Sequence, residues 1–245
     1  MTCETGALYV VATPIGNVED LTPRALSVLS TVSVLACEDT RHTGVLLKRL
    51  NVPHGERKFV AYHDANEQRQ APNLLAFLER GLDVAVVTNA GTPLVSDPGY
   101  RLVAAARAAG IKVVPVPGAC AAIAALSASG LPSDRFTFLG FPPVKSGRRQ
   151  ALLAAIGPDH GTCIFYVPAR SLDRLLGELE TPHPAARVVV AREMTKVFEE
   201  FVAGTPAECR AAIAGRTLKG EVTLLVNVVE PKRSRDDDGD SGYDD

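Results

Sequence analysis

Along the first 117 positions, short apolar runs alternate with longer stretches whose apolar residues recur three and four apart. The runs ALYVVAT from Ala7, VSVLAC from Val32, KFVAY from Lys58, DVAVVT from Asp83 and KVVPV from Lys112 read as strands. Between them the spacing predicts helices from about Thr22, Thr40, Asn66 and Gly99. Thr22 before Pro23 is a cap followed by a first-position proline, and Gly81 after ERG is a left-handed stop. A β-α-β-α rhythm with strands apolar on both faces predicts a parallel sheet covered by helices.

After Pro117 the pattern changes. GACAAIAALSASG predicts a small-residue helix from Ala119 to Ala128, able to pack close to another backbone. Strands then come more often: RFTFLG, TCIFYV, ARVVVARE, EEFVAGT and EVTLLVNVVE, with helices near Arg149, Leu172 and Pro206. The expected class is α/β, with a parallel-sheet N-terminal domain at 1–117 and a mixed α/β C-terminal domain at 118–230. The segment 231–245 is expected to be a disordered acidic tail, since its only apolar side chain beyond Pro231 is Tyr243.

Composition narrows the class. The chain has 245 residues, 46% hydrophobic and 22% charged, which is enough for one large or two small cores in a soluble protein. No apolar run reaches the ~18 residues of a membrane-spanning helix, and no basic region precedes the first apolar segment. The five cysteines are scattered without a CxxC pair, which favours reduced thiols over bridges or zinc, so no metal and a cytoplasmic location are expected. Net charge is −2, but the last ten residues hold six aspartates, so the body is mildly basic and permits a polyanionic partner.

Three stretches carry candidate chemistry. TPIGN, from Thr13, leaves the first strand in a glycine turn, a weak signal alone. VVTNAGTPLVSDPGY, from Val86, packs two glycines and two prolines into a loop of defined shape before a helix. That loop either offers its backbone to a polar ligand, or is a β-α connection with Asp97 as helix cap. VLACEDTRHTGVLLKRL, from Val34, drives a buried strand into Glu38, Asp39, Thr40, Arg41 and His42. Either Asp39 or Thr40 caps the helix and the rest is solvated, or this is an active-site or RNA-facing loop at a strand's carboxyl end. The dinucleotide fingerprint G-x-G-x-x-G and the Walker A sequence are absent.

Together, TPIGNVEDLTPRAL, EDTRHTGVLLKRL, AGTPLVSDPGYRLV, VPVPGACAAIAALSASGLPSDRFTFLGFPP, REMTKVFEE and KGEVTLLV occur in an order and spacing that is similar to one family. The chain resembles, from about Leu8 to Val229, the bacterial 16S rRNA (cytidine-2′-O)-methyltransferases of the tetrapyrrole (corrin/porphyrin) methylase superfamily. The resemblance implies two α/β domains with S-adenosyl-L-methionine in the cleft between them, a homodimer and no metal. It implies that Pro14 and the loop residues Ala90, Gly91, Thr92, Pro93, Val95, Ser96 and Asp97 hold the cofactor, with Ala119 and Cys120 alongside. Tyr166, Val167, Ala191, Glu221, Val222 and Thr223 would flank the adenine. Departures stand at Val167-Pro168-Ala169-Arg170, at PGACA in place of PGPCA, and at Ala65 in YHDANE.

For methyl transfer to a ribose 2′-oxygen of 16S rRNA within the small ribosomal subunit, Asp39 and His42 are the candidate bases and Arg41 the candidate phosphate clamp or orienting group. Lys48, Arg49, Lys145, Arg148, Arg149, Arg192 and Lys196 are the candidate RNA contacts, with Pro142, Pro143 and Gly147 marking a flap. Glu193 is expected to hold Arg192 or Lys196 in a salt link. Two other readings stay open: a methylase of a tetrapyrrole or other small substrate, and a non-catalytic RNA-binding or assembly factor.

Overall fold

The structure, a computed structural model, describes residues 5–228. The tail expected at 231–245 lies outside the described residues. Strands β1 (Leu8–Val11), β2 (Val34–Cys37), β3 (Lys58–Ala61), β4 (Val84–Val87) and β5 (Val113–Val116) form one sheet in the order β3-β2-β4-β1-β5. Every pairing in it is parallel. The two-residue alternation of strands sends Leu8, Val34, Ala36, Val84 and Val86 to one face, against Leu74 and Leu78 of α3 (Glu67–Glu79) and Leu102 of α4 (Tyr100–Ala108). Val11, Leu35, Cys37, Ala85 and Val87 go to the other face, against Ala25 and Leu29 of α1 (Pro23–Thr31) and Leu47 of α2 (Thr40–Arg49). Burial on both faces is why these strands read as unbroken apolar runs.

The helix starts follow local chemistry. The Thr22 hydroxyl accepts the Ala25 N–H at 3.1 Å, and Gly81 turns left-handed (φ 82°) just past α3. Helix α4 is capped from a distance: its first residue follows Gly99, which has no side chain, and Glu67 of α3 fills the role. The Glu67 Oε1 accepts the N–H groups of Gly99 (3.1 Å) and Arg101 (3.0 Å) and the hydroxyl of buried Tyr62 (3.0 Å). Asp97 is therefore not the cap, and its carboxyl is left for the cleft described below.

The second sheet, in the order β6-β7-β10-β8-β9, is made of β6 (Phe136–Gly140), β7 (Thr162–Pro168), β8 (Arg187–Arg192), β9 (Glu200–Gly204) and β10 (Glu221–Asn227). It is mixed: β6 and β7 are parallel and the remaining pairings antiparallel. Helix α5 (Ala121–Ala128) covers one face, where Ala122, Ala125 and Leu126 meet Ile164, Val189 and Leu225. Helices α6 (Ser146–Ala155), α7 (Leu172–Glu180) and α8 (Pro206–Ile213) cover the other through Leu153, Leu172, Leu176 and Cys209. No helix among the described residues is long and apolar enough to cross a membrane.

One expected RNA contact is corrected here. Arg149 points inward with 4% of its surface exposed, and its guanidinium grips Glu178 of α7 through two hydrogen bonds of 2.6 Å each. It also donates to the carbonyls of Pro143 (3.1 Å) and Val144 (2.8 Å), so it pins α6 to α7 and to the loop after β6 and is not available to RNA. The helical period that exposes Arg148 turns the next residue toward the core. Glu178→Ala is expected to destabilise the protein by about 2–3 kcal/mol in urea denaturation, because it strands a buried guanidinium; part of the Glu178 side chain keeps water, which holds the loss below that of a fully buried pair. Arg149→Met, which removes the charge with its need for a partner, is expected to cost less.

Candidate active site between the two sheets

The carboxyl ends of β1 and β4 lie side by side, where the connection from β1 runs one way across the sheet and that from β4 the other. Such a switch point leaves a crevice in an open α/β sheet. The two loops are tied by reciprocal backbone hydrogen bonds: Thr13 N–H to the Gly91 carbonyl at 2.8 Å and Gly91 N–H to the Thr13 carbonyl at 3.0 Å. The buried Thr13 hydroxyl adds a bond to the Thr88 carbonyl at 3.2 Å. The Thr92 hydroxyl donates to the Ala119 carbonyl at 2.9 Å, which brings in the segment after β5.

Between these ties the loop from Asn89 to Gly99 takes a contorted path. Gly91 and Gly99 have φ of 83° and 140°, and two side-chain-bearing residues, Leu94 (71°) and Ser96 (65°), are also left-handed. Strain of this kind costs on the order of 1–3 kcal/mol per residue and persists where surrounding bonds over-determine the shape. The result is a loop whose residues Ala90, Gly91, Thr92, Val95 and Asp97 line a cleft.

The opposite wall comes from the second sheet. Tyr166 of β7, Thr223 of β10 and Ala191 of β8 stand directly opposite one another, in register across three strands. The Tyr166 hydroxyl accepts the Ala122 N–H at 3.2 Å at the start of α5, and its ring meets Phe141 edge-on with centroids 5.7 Å apart. The small Ala191 and Thr223 beside an anchored ring leave a shelf, rimmed by Glu221 and Val222 at the start of β10.

Carboxylates dominate the cleft's charge. Glu38, the residue after β2, accepts the Asn89 N–H on its Oε2 at 2.9 Å. Burial lifts the Asp97 carboxyl to about 7, with the negative charges of Glu38, Asp64 and Glu221 adding to it. One buried polar atom of this region, the Asn89 amide oxygen, has no protein partner among the described residues. The site thus presents negative charge and an unpaired acceptor.

The expected site residues divide. Pro14 is buried behind the cleft, while Pro93, Ser96, Ala119 and Cys120 belong to the loops around it without lining it. Val167 alternates away from Tyr166 and is packed in the core under α6 to α8, so its side chain flanks no ligand in the cleft. Asp39 is the cap of α2 and lies outside the cleft lining: its Oδ1 accepts the N–H groups of Arg41 (2.8 Å) and His42 (3.2 Å), and these bonds hold its carboxyl below the usual range. Arg41 and His42 are exposed on the first turn of α2 and outside the cleft lining. Lys48, Arg49, Lys145 and Arg148 are exposed. Arg192 is half-buried and paired with Glu200 of β9, which accepts its Nη2 at 3.1 Å; Glu193 pairs with Lys196, one of its two expected partners, at 3.0 Å at the cleft wall.

Residues that sequence reasoning did not nominate include Glu38, Asn89, Ile15, Phe141 and Met194. For Glu38 a signal existed, an acid directly after an apolar strand, but its neighbour Asp39 carried the same signal. The Asp97 environment has a measurable consequence. Its carboxyl titrates near 7 when folded and near 3.8 when unfolded, so between those values the folded state binds more protons and stability falls as pH rises. Urea unfolding of the ligand-free protein is expected to lose about 1–2 kcal/mol from pH 4 to pH 8 through this group, a figure reduced because one flank of Asp97 faces water. Asp97→Asn is expected to flatten that part of the profile.

Known proteins place this architecture. The family profile described as Tetrapyrrole (Corrin/Porphyrin) Methylases matches residues 7–209. The chain is 51% identical over 223 residues to the "Ribosomal RNA small subunit methyltransferase I" of Vibrio cholerae serotype O1, covering 90% of this chain and 76% of that one. It is 48% identical over 227 residues to the protein of the same name in Escherichia coli O157:H7, covering 90% of this chain and 77% of that one. Among solved structures, the uroporphyrin-III C-methyltransferase of Thermus thermophilus complexed with S-adenosylhomocysteine shares the fold, with a TM-score of 0.58 and 20% identity over 91% of this chain and 97% of that one. With identity at this level across nine-tenths of its length, the chain belongs to the ribosomal RNA small subunit methyltransferase I family, a branch of the tetrapyrrole methylases.

Proposed function

We propose that the protein methylates the ribose 2′-oxygen of a cytidine in the decoding region of 16S rRNA, using S-adenosyl-L-methionine as donor. Its partner is the rRNA, presented within the small ribosomal subunit, and the protein acts as a cytoplasmic homodimer. The observation that carries the reading is the cleft itself: a carboxylate-lined, strained loop facing an in-register shelf of Tyr166, Thr223 and Ala191, in a chain of this family.

The residues present fit such a donor. The unpaired Asn89 oxygen and the carboxylate of Asp97 suit a ligand that carries N–H and O–H donors and net positive charge. A flat purine suits the shelf, where an anchored tyrosine ring stands beside small side chains. When bound, S-adenosylmethionine supplies an electrophilic methyl on positive sulfur. The chain's task is then alignment, which is worth on the order of 7–11 kcal/mol when reacting groups are well oriented.

A ribose hydroxyl also needs its proton removed, for which a placed base adds about 10²–10⁴-fold. We assign this to Glu38 rather than Asp39. Glu38 faces the cleft with Oε2 held by the Asn89 N–H and Oε1 left to accept the proton, whereas Asp39 caps α2 outside the cleft lining. Arg41 and His42 follow on the first turn of α2 and serve the RNA strand rather than the methyl donor.

Three outcomes test this. Incubated with labelled donor, the protein is expected to place a 2′-O-methyl on a cytidine of small-subunit rRNA, mapped by blocked alkaline cleavage, and none on a tetrapyrrole; transfer to the tetrapyrrole alone overturns the reading. Glu38→Gln is expected to lower the single-turnover rate about 10²-fold with donor affinity unchanged, and an equal loss in both overturns its role. In calorimetry, donor affinity is expected to rise with pH up to about 7, because a cation favours the ionised form of Asp97. S-adenosylhomocysteine, without the sulfonium charge, is expected to show a shallower rise.

A further inference from the structure

A second cavity opens beside the cleft, and Phe141 lines both. It is the larger, about 740 Å³ against about 210 Å³ for the cleft. Its apolar wall is Phe141, Pro142, Pro143 and Val144, at the end of β6; its polar wall is Arg170 and Arg174. Phe141 is 50% and Val144 92% exposed, so this is apolar surface that the fold does not bury.

The arginines stand out by what they lack. Arg170 sits on the 3-10 turn Ala169–Ser171 and Arg174 four residues on, in the first turn of α7, so both reach from one side. Among the described residues, neither guanidinium makes a hydrogen bond or ion pair. The acids nearby are already engaged: Glu178 by Arg149 at 2.6 Å, and Asp173 and Glu180 by Arg210 at 2.9 and 3.4 Å. Lys145 and Arg148, exposed at the start of α6, add positive charge to the same end of the second sheet. Two free planar guanidiniums beside an aromatic and prolines match the two halves of an unpaired nucleotide, phosphate and base.

Resting on the methylation reading above, we propose that this cavity is a subsite for the RNA strand next to the methylated nucleotide. Arg170 and Arg174 clamp a backbone phosphate while Phe141 and the Pro142–Val144 wall take a base. The shared Phe141 sets the spacing: a nucleotide in the larger cavity places its neighbour at the cleft. The Val167-Pro168-Ala169-Arg170 segment then contributes to substrate anchoring.

The test is Arg170→Ala/Arg174→Ala in the full-length protein, with wild type alongside. Its donor affinity and melting temperature are expected to match wild type, while affinity for small-subunit rRNA falls at least ten-fold at physiological salt. The slope of log affinity against log salt is expected to shrink by about 0.7–1.4, as for the loss of one or two phosphate contacts on a single strand. Arg170→Lys/Arg174→Lys is expected to restore the slope without restoring full affinity. Wild-type affinity and slope in the alanine variant overturn the subsite, whereas failure of wild type to bind or methylate rRNA overturns the methylation reading instead. In wild type, 4-thiouridine-substituted rRNA is expected to crosslink to peptides containing residues 141–144 or 170–174; crosslinks confined to other peptides overturn the proposal even if the variants misfold.

Discussion

Two hydrogen bonds between Thr13 and Gly91 set the geometry on which the rest of the site depends. They form an isolated antiparallel bridge beyond the ends of the parallel strands β1 and β4 and tie the two connections into one body. With Thr92 tied to the Ala119 carbonyl, the segments after β1, β4 and β5 move together. Only such cross-bracing can hold Leu94 and Ser96 in left-handed conformations that each cost free energy. The distant cap from Glu67 fixes the far end of the same loop through Gly99 and Arg101. The loop residues that face the cleft, from Ala90 to Asp97, inherit their positions from these bonds.

Charge is sorted across the molecule by the same economy of partners. Acids in the cleft, Glu38, Asp97 and Glu221, have no basic side chain bonded to them among the described residues, so the field there favours a cation. On the far side of Phe141 the order is reversed, because Arg149 and Arg210 satisfy the local acids and leave Arg170 and Arg174 free. A cationic donor and a polyanionic acceptor require this separation, and the basic body concealed by the acidic tail is its net-charge trace.

The elements themselves were legible because they rest on local rules. Unbroken apolar runs, buried on both faces, mark β2 and β4, Thr22-Pro23 marks the start of α1, and Gly81 marks the end of α3. The cleft loop was legible as a shape, since its glycines and prolines exclude most other conformations. Charged residues were not legible in the same way. Arg148 and Arg149 are adjacent and chemically identical, yet one is exposed and the other is buried on Glu178, some thirty residues away in sequence. Arg192 was drawn to Glu200 on a neighbouring strand, and Asp39 closed on its own helix.

Sequence alone therefore determined the α/β alternation, the left-handed stops, the rigid loop and the family to which these belong, because each depends on residues close together in the chain. Tertiary structure alone decided which of two consecutive acids faces the cleft, that Tyr166, Thr223 and Ala191 form one row, and which arginines stay free. The physical reason is the range of the forces involved. Backbone preference and hydrophobic period act within a few residues, whereas strand register and ion pairing join residues tens of positions apart, and a side chain's role at a cleft follows from those long-range partners.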